Sequence, residues 1–219
     1  MGAAMERDGG SDRDPVPRLE LGAGVDGADD PVTGPHDDRV VGAMLGAAVG
    51  DALGAPFEFA PRGTFSTRLP DRREDGQGDM IGGGAFDWAP GEFTDDTQMG
   101  LALAGSLLAC GRYEPDDLWR RWQVWARGSS DVGNTTSFAL RHADWRAVRH
   151  RDPESTAANG ALMRAFPLAL ATLEVGADAA RAVTVHQSLL THAHPAAAGS
   201  GSVGTSRPQT RNRGPRSRV

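Results

Sequence analysis

The strongest constraint on the fold is the recurrence of apolar residues at helical spacing from residue 39 onward. In the first such segment Val40, Met44 and Ala48, each with the residue that follows it, lie on one face of an α-helix. Gly50 and Gly54 predict the end of that helix. No segment shows the alternation that is typical of a half-buried strand. Further helical patterns cover about 134–148, 159–172 and 177–190. The sequence therefore predicts an all-α fold, a compact multi-helix domain.

Two more helices have recognisable ends. Thr94 is a suitable N-cap, and the two acids after it suit the positive end of a helix dipole. The mostly apolar helix from Met99 to Leu108 can be closed by Gly111. Pro115 is a natural first residue of the next helix. One face of that helix carries the residues we expect in the core, which are Leu118, Trp119, Trp122, Trp125 and Ala126.

Composition divides the chain into one domain and two tails. Residues 1–38 contain ten acids, three Arg and few large apolar residues, so we expect a disordered acidic tail. Residues 196–219 are rich in Gly, Ser and Arg, and we expect a disordered basic tail there. The helical domain is then residues 39–195. Within it, the Gly- and Pro-rich loop at 60–93 is long enough to be functional, for example in facing a substrate.

Charge and composition also exclude some classes of protein. The net charge is −6, all 23 basic residues are Arg, and no basic stripe is interleaved with aromatic residues, so we expect no nucleic-acid partner. No stretch approaches eighteen consecutive apolar residues and no signal peptide is evident, so we expect no membrane and a cytoplasmic protein. Cys110 has no second cysteine to pair with, which favours a reducing compartment.

The sharpest local pattern is Thr94-Asp95-Asp96-Thr97 at a predicted helix start. Carboxylate and hydroxyl oxygens are hard ligands, suited to Mg²⁺, Mn²⁺ or Ca²⁺ and not to zinc. Neighbouring helix positions lie about 100° apart, so the two carboxylates can point toward two neighbouring ions. Acidic first turns are also common because of the helix dipole. By itself the pattern leaves both interpretations open.

Four other segments accompany this pattern in a fixed order along residues 39–195. They are residues 39–58, Gly133–Thr136, Asn159–Arg164 and Leu190–Pro195. Together with Thr94–Thr97 they resemble the successive motifs of the ADP-ribosylglycohydrolase family, which includes the dinitrogenase reductase-activating glycohydrolases. The resemblance implies an all-α fold with two Mg²⁺ or Mn²⁺ ions in a cleft. It also implies hydrolysis of the bond between ribose C1″ of ADP-ribose and an acceptor, in an ADP-ribosylated protein or a small ADP-ribose derivative.

The same resemblance implies roles for individual residues. Thr94, Asp95 and Asp96 match the metal ligands. Glu58 matches the mobile glutamate near the scissile bond and is our candidate for general acid/base catalysis. Without the resemblance, Glu58 would be interpreted as a solvated loop carboxylate. Asp51 sits where a turn needs a side-chain cap, which favours a structural role over a metal bond.

Substrate contacts are implied at two further places. Asn159 and Gly160 resemble the loop that approaches the ADP-ribose phosphates and ribose, and a glycine permits close approach because it has no Cβ. His192 resembles a substrate-contacting histidine, although a lone histidine before a Pro-containing turn is also typical of a satisfied structural residue. The acceptor stays open between arginine, serine, O-acetyl-ADP-ribose and others.

The sequence departs from the family pattern after Pro195. The family carries a second acidic motif, Asp-x-Asp-Thr, at the start of a late helix, whereas residues 196–219 contain no Asp or Glu. We therefore expect half of the two-metal site to be missing, with a truncated or frame-shifted C-terminus. Three hypotheses remain: a metal-dependent ADP-ribosyl hydrolase, an ADP-ribose-binding pseudoenzyme, and a non-functional fragment with exposed apolar faces.

Overall fold

A computed structural model of the chain describes residues 16–21, 35–68, 80–148, 154–173 and 175–203. Over these ranges the secondary structure is helical, with two isolated β-bridges and no strand of greater length, which confirms the all-α fold. The eight α-helices of these ranges are α1 Pro35–Gly54, α2 Thr64–Arg68, α3 Asp95–Cys110, α4 Pro115–Gly128, α5 Asn134–Leu140, α6 Phe166–Ala171, α7 Ala177–Leu189 and α8 Pro195–Val203. Four single 3₁₀ turns lie at Ala55–Phe57, Trp145–Ala147, Glu154–Thr156 and Asn159–Ala161.

The end signals in the sequence place α3 and α4 correctly. Thr94 is the N-cap of α3 and accepts a hydrogen bond from the backbone N–H of Asp96, while Gly111 closes the helix in the left-handed conformation at φ 63°. Pro115 is the first residue of α4. The helix expected over 159–172 is shorter, because α6 begins only at Phe166. Pro167 explains this start, since proline is tolerated in the first turn of a helix but not in its interior.

The core is built around α3, which packs against α1, α4 and α6. Trp119 and Trp122 are buried as expected, and Trp125 is partly buried against the same cluster. The helical patterns at 159–172 and 177–190 predict inward positions for Leu162, Leu168, Val183, Leu189 and Leu190. Of these, Leu168, Val183 and Leu190 are buried. Leu162 and Leu189 are exposed instead, because Leu162 lies in a turn and Leu189 at the last residue of α7, where helical spacing no longer determines the buried face.

Asp51 of α1 connects that helix to the start of α3. One carboxylate oxygen accepts the backbone N–H of Thr94 at 2.9 Å and of Thr97 at 3.1 Å. The hydroxyls of the same two threonines donate to the carboxylate at 2.8 and 2.7 Å. The structural role expected for Asp51 is therefore confirmed, although it caps α3 and not its own turn. These bonds satisfy N–H groups that a helix N-terminus otherwise leaves without partners.

Two segments that were expected to be disordered are partly ordered. Residues 16–21 pack on the domain: Leu19 is buried in the core, and its carbonyl accepts the N–H of Tyr113 at 2.9 Å. The apolar side chains of Leu19 and Leu21 explain this packing, since both contact the core. The tail as a whole has few apolar residues, so its average composition does not indicate these two contacts. At the other end, α8 extends to Val203 and packs on α7, and its Ala197 and Ala198 are buried. Residues 1–15, 22–34 and 204–219 lie outside the described part of the chain.

The outward face of α1 is unusually apolar. Val41, Leu45 and Val49 are 42%, 61% and 44% exposed. A Cβ on the neighbouring Gly46 would have no atom of the described residues within 4 Å outside the backbone of its own helix. A window within residues 38–57 has a mean hydropathy of 1.5 and is 17% buried, so by length and composition this helix passes as a membrane-spanning segment. Core helices of soluble proteins pass the same test.

The Asp51 cap gives a first prediction. The substitution Asp51→Asn removes the charge that accepts four hydrogen bonds and turns an amide N–H₂ toward other donors. We expect urea denaturation at pH 7 to show a loss of about 2–3 kcal/mol in the free energy of unfolding. The control Asp87→Asn, on an exposed loop, should change stability by less than about 0.5 kcal/mol. Equal effects of the two substitutions would contradict the capping role.

The open face of α1 gives a second prediction. The substitution Gly46→Ala should stabilise the protein by about 0.5–1 kcal/mol, because alanine favours the helix and its Cβ meets nothing there. The matched control is Gly100→Ala in α3, where a Cβ would lie 2.4 Å from the Phe166 ring. We expect that substitution to cost about 1–3 kcal/mol. A loss of stability in Gly46→Ala would mean that this face of α1 is covered in the folded protein.

Candidate active site

The first turn of α3 carries the acidic pair of the site. Thr94 is buried, its hydroxyl donates to Asp51, and it accepts the N–H of Asp96 at 3.3 Å. Asp95 and Asp96 follow as the first two helical residues and are partly buried. Because Asp51 and Thr94 fix the direction of this turn, the two carboxyls are held side by side at the N-terminus of α3.

Burial and mutual repulsion raise the pKa of both carboxyls. Removal from water is the larger cause for Asp95, followed by the charges of Asp131 and Asp96, and together they raise its pKa to about 7. For Asp96, burial again comes first, followed by the charges of Asp51 and Glu58, and its pKa is raised to about 6. A side-chain hydrogen bond with Asp95 opposes the rise at Asp96. The pair therefore favours either shared protons or a bound cation.

Two cavities adjoin this acidic pair. The larger, about 570 Å³, lies against α1 and includes Thr94 in its lining. The smaller, about 330 Å³, includes Asp95 and His192. Glu58, Asp96 and Asn159 line both cavities, so they lie where the two meet. All seven candidate site residues from the sequence thus line one cavity or the other; their chemical roles stay predictions.

Glu58 follows the 3₁₀ turn at the end of α1 and is exposed. Partial burial raises the pKa of its carboxyl, and the charges of Asp131 and Asp51 raise it further. Next to it Phe59 has φ 61°, a left-handed conformation that is costly for a bulky residue. Phe59 and Phe86, 6.2 Å apart between ring centroids, form an aromatic edge of the smaller cavity. A carboxyl with a raised pKa beside an aromatic edge is suited to exchanging a proton with a bound ligand.

Gly160 and His192 are packed against each other. A Cβ on Gly160 would lie 2.8 Å from His192 Cε1 and 2.9 Å from Nε2, so only glycine fits there without displacing the imidazole. The histidine ring thus comes close to Gly160, and the approach of ADP-ribose that the sequence implies there stays a prediction. Both residues are buried and line the smaller cavity. Their spatial contact explains why two distant motifs form one wall.

Asp131 is a site residue that the sequence analysis missed. It lines the smaller cavity in the loop between α4 and α5, and its charge is the leading electrostatic influence on the pKa of Asp95. Its Oδ2 atom is buried, with no hydrogen-bond partner among the described residues. A loop carboxylate has no periodicity to mark it. The available signal was its position two residues before the Gly133–Thr136 motif.

The side chains of the site have the oxygen ligands that suit a divalent cation, but only some of the number that a complete site needs. The side chains present hard oxygens, the carboxyls resist ionisation together, and the unpartnered Oδ2 of Asp131 lies in the same cluster. Across the ranges that the structure describes, however, no group of three or more His, Cys, Asp or Glu converges on one metal position. Thr94, Asp95 and Asp96 therefore offer a partial ligand set.

Comparisons with known proteins agree with this geometry. A family model described as ADP-ribosylglycohydrolase matches residues 33–206. The chain is 41% identical over 169 residues to ADP-ribosyl-(dinitrogen reductase) glycohydrolase of Rhodospirillum rubrum, covering 75% of this chain and 55% of that protein. It is 38% identical over 147 residues to ADP-ribosylarginine hydrolase Tri1 of Serratia proteamaculans, covering 61% of this chain and 36% of that protein.

A solved structure described as an ADP-ribosylglycohydrolase-related protein complex superposes with a TM-score of 0.61 at 37% identity. The match covers 77% of this chain and 54% of the other. The chain thus spans about half the length of the relatives it matches, or less. The family match covers most of the sequence and includes all the acidic residues that influence Asp95, which are Asp51, Glu58, Asp96 and Asp131. The chain therefore belongs to the ADP-ribosylglycohydrolase family.

Proposed function

We propose that the chain hydrolyses the ribose C1″ glycosidic bond of ADP-ribosylated substrates with the help of Mg²⁺ or Mn²⁺. The observation that carries the proposal is the junction of the two cavities, which is lined by Glu58, Asn159 and Asp96. Asp96 and its neighbour Asp95 form a carboxyl pair with raised pKa values there. Cavities of this size suit a nucleotide-sized ligand. The names of two relatives support an ADP-ribosylated protein as the substrate class.

Thr94, Asp95 and Asp96 would hold the cation. When bound, it would orient ribose hydroxyls and lower the pKa of a coordinated water. The cation would also neutralise part of the cluster, which holds the charges of Asp131 and Glu58 close to the pair. The residues of α3 therefore bind and orient, and they do not themselves need to transfer a proton.

Glu58 would manage the proton. Cleavage at C1″ passes through an oxocarbenium-like state in which the leaving group must gain a proton and a water must lose one. A raised pKa suits the Glu58 carboxyl to give a proton to the leaving group and, once ionised, to accept the proton of the water. Its exposure beside both cavities lets it reach a ligand that occupies either one.

An ADP-ribose-binding pseudoenzyme is the second candidate. It is favoured by the partial ligand set of the described residues. The smaller cavity, lined by Asn159, Gly160 and His192, would still accept ADP-ribose. A non-functional fragment is the third candidate, and the exposed apolar face of α1 supports it.

An assay for ADP-ribose release separates these candidates. The chain should release ADP-ribose from arginine- or serine-ADP-ribosylated peptides only when Mn²⁺ or Mg²⁺ is present. Asp95→Asn should lower the rate about a hundredfold, whereas Asp87→Asn, on the loop at residues 84–87, should leave it unchanged. Calorimetric binding of ADP-ribose without turnover would favour the pseudoenzyme. Neither binding nor a cooperative thermal transition would favour the fragment.

The carboxyl pair also predicts how stability depends on pH. Asp95 keeps its proton in the folded chain up to about pH 7, whereas in the unfolded chain its pKa returns to 3.8. Between these values the folded state binds more protons, so stability falls as pH rises through that range. We expect the metal-free chain to melt at a higher temperature at pH 5.5 than at pH 8. Asp95→Asn should reduce this difference.

A bound cation should stabilise the folded chain in place of the protons on the carboxyl pair, by neutralising the ionised carboxylates at high pH. Mn²⁺ should therefore raise the melting temperature at pH 8 more than at pH 5.5, and less in Asp95→Asn than in the wild type. Differential scanning fluorimetry with and without EDTA measures each case. Identical pH profiles of the wild type and Asp95→Asn would contradict the coupling of stability to this cluster.

A further inference from the structure

A buried arginine lies behind the wall of the smaller cavity. Arg164 is fully buried, and its guanidinium stacks over the Trp122 ring at 3.9 Å from the centroid. Its N–H groups donate to Gln187 Oε1 at 3.0 Å, to the Gln187 carbonyl at 3.2 Å and to Thr191 Oγ1 at 2.7 Å. Burial lowers its pKa to about 9, so it remains protonated at neutral pH. A guanidinium has no acceptor atom and can only donate.

The Thr191 hydroxyl joins this cation to His192. Thr191 is fully buried, and its Oγ1 lies 2.7 Å from Arg164 Nη2 and 2.7 Å from His192 Nδ1. Within the described part of the chain these are the two hydrogen-bonding partners of the hydroxyl. Because the guanidinium only donates, the oxygen accepts there, and the single hydroxyl proton has Nδ1 as its acceptor. An N–H at Nδ1 would leave that buried proton without a partner.

We propose that Thr191, held by Arg164, is a positioning residue that fixes His192 as the neutral imidazole with its proton on Nε2. The Nε2 edge of the ring packs against Gly160, in the lining of the smaller cavity. A proton on Nε2 gives this edge of the cavity lining a hydrogen-bond donor, which suits the oxygen-rich surface of ADP-ribose. The opposite tautomer would present a lone pair to the same oxygens. This last step rests on the proposed function, whereas the tautomer does not.

The tautomer is read directly by NMR. In the full chain with ¹⁵N-labelled histidine, two-bond ¹H–¹⁵N correlations distinguish a protonated Nε2 from a protonated Nδ1, and the spectrum of His192→Asn assigns the signal. We expect His192 to show an N–H at Nε2 and a bare Nδ1 at pH 7 in the wild type. An N–H at Nδ1 of His192 in the wild type overturns the proposal.

Two variants test whether Thr191 is the cause. Thr191→Ser keeps the hydroxyl and should retain the wild-type histidine spectrum. Thr191→Val keeps the shape and removes the hydroxyl, so the Nε2–H pattern should give way to a mixture of tautomers. A Thr191→Val spectrum identical to that of the wild type overturns the proposal, as does loss of the pattern in Thr191→Ser.

Calorimetric binding of ADP-ribose then links the tautomer to the ligand. We expect Thr191→Val to bind ADP-ribose about fivefold to tenfold more weakly than the wild type, the loss of about one hydrogen bond, and Thr191→Ser to bind like the wild type. Equal affinities in all three proteins overturn the donor role of His192. A wild type that shows the Nε2–H tautomer and binds no ADP-ribose counts against the proposed function and leaves the tautomer assignment intact.

Discussion

The capping of α3 by Asp51 is the interaction on which the rest of the site depends. A single carboxylate from α1 accepts four hydrogen bonds from Thr94 and Thr97, and so fixes both the angle between the two helices and the direction of the first turn of α3. Asp95 and Asp96 owe their position to that turn. The same carboxylate adds a negative charge close to the pair and raises both pKa values. Structural support and electrostatic strain therefore come from one residue.

A second polar network supports the opposite wall. Arg164 lies in the turn after the Asn159–Ala161 segment, Gln187 in α7, and Thr191 with His192 just beyond that helix. Gln187 also donates to the Ala161 carbonyl at 2.8 Å, which returns the network to the segment that contains Gly160. Two motifs that are far apart in the sequence are thus parts of one buried hydrogen-bonded unit. A unit of this kind is stable only when each member has its partner.

Local signals allowed much of this to be predicted. Thr94, Gly111 and Pro115 determine their helix ends through contacts within a few residues, and the structure places them as expected. Asp131 and Leu19 were not found, because each depends on a tertiary contact: Asp131 faces carboxylates of other elements, and Leu19 reaches the core through the backbone of Tyr113. Nor does helical spacing reveal that the apolar face of α1 is largely exposed.

The acidic residues near the Asp51 cap and the hydrogen-bonded unit around Arg164 line opposite sides of the smaller cavity, and their charges have opposite signs. The carboxyls of Asp131 and, once ionised, Asp95 bring negative charge to one side, while the other side has the buried cation of Arg164 behind the imidazole of His192. A nucleotide diphosphate is repelled by the first wall, and the second is favourable to it. The uncharged ribose can lie against the acids, because its hydroxyls can donate hydrogen bonds to carboxyl oxygens. We therefore expect the diphosphate to lie on the Gly160 and His192 side, with the scissile C1″ bond directed toward Glu58 and the carboxyl pair.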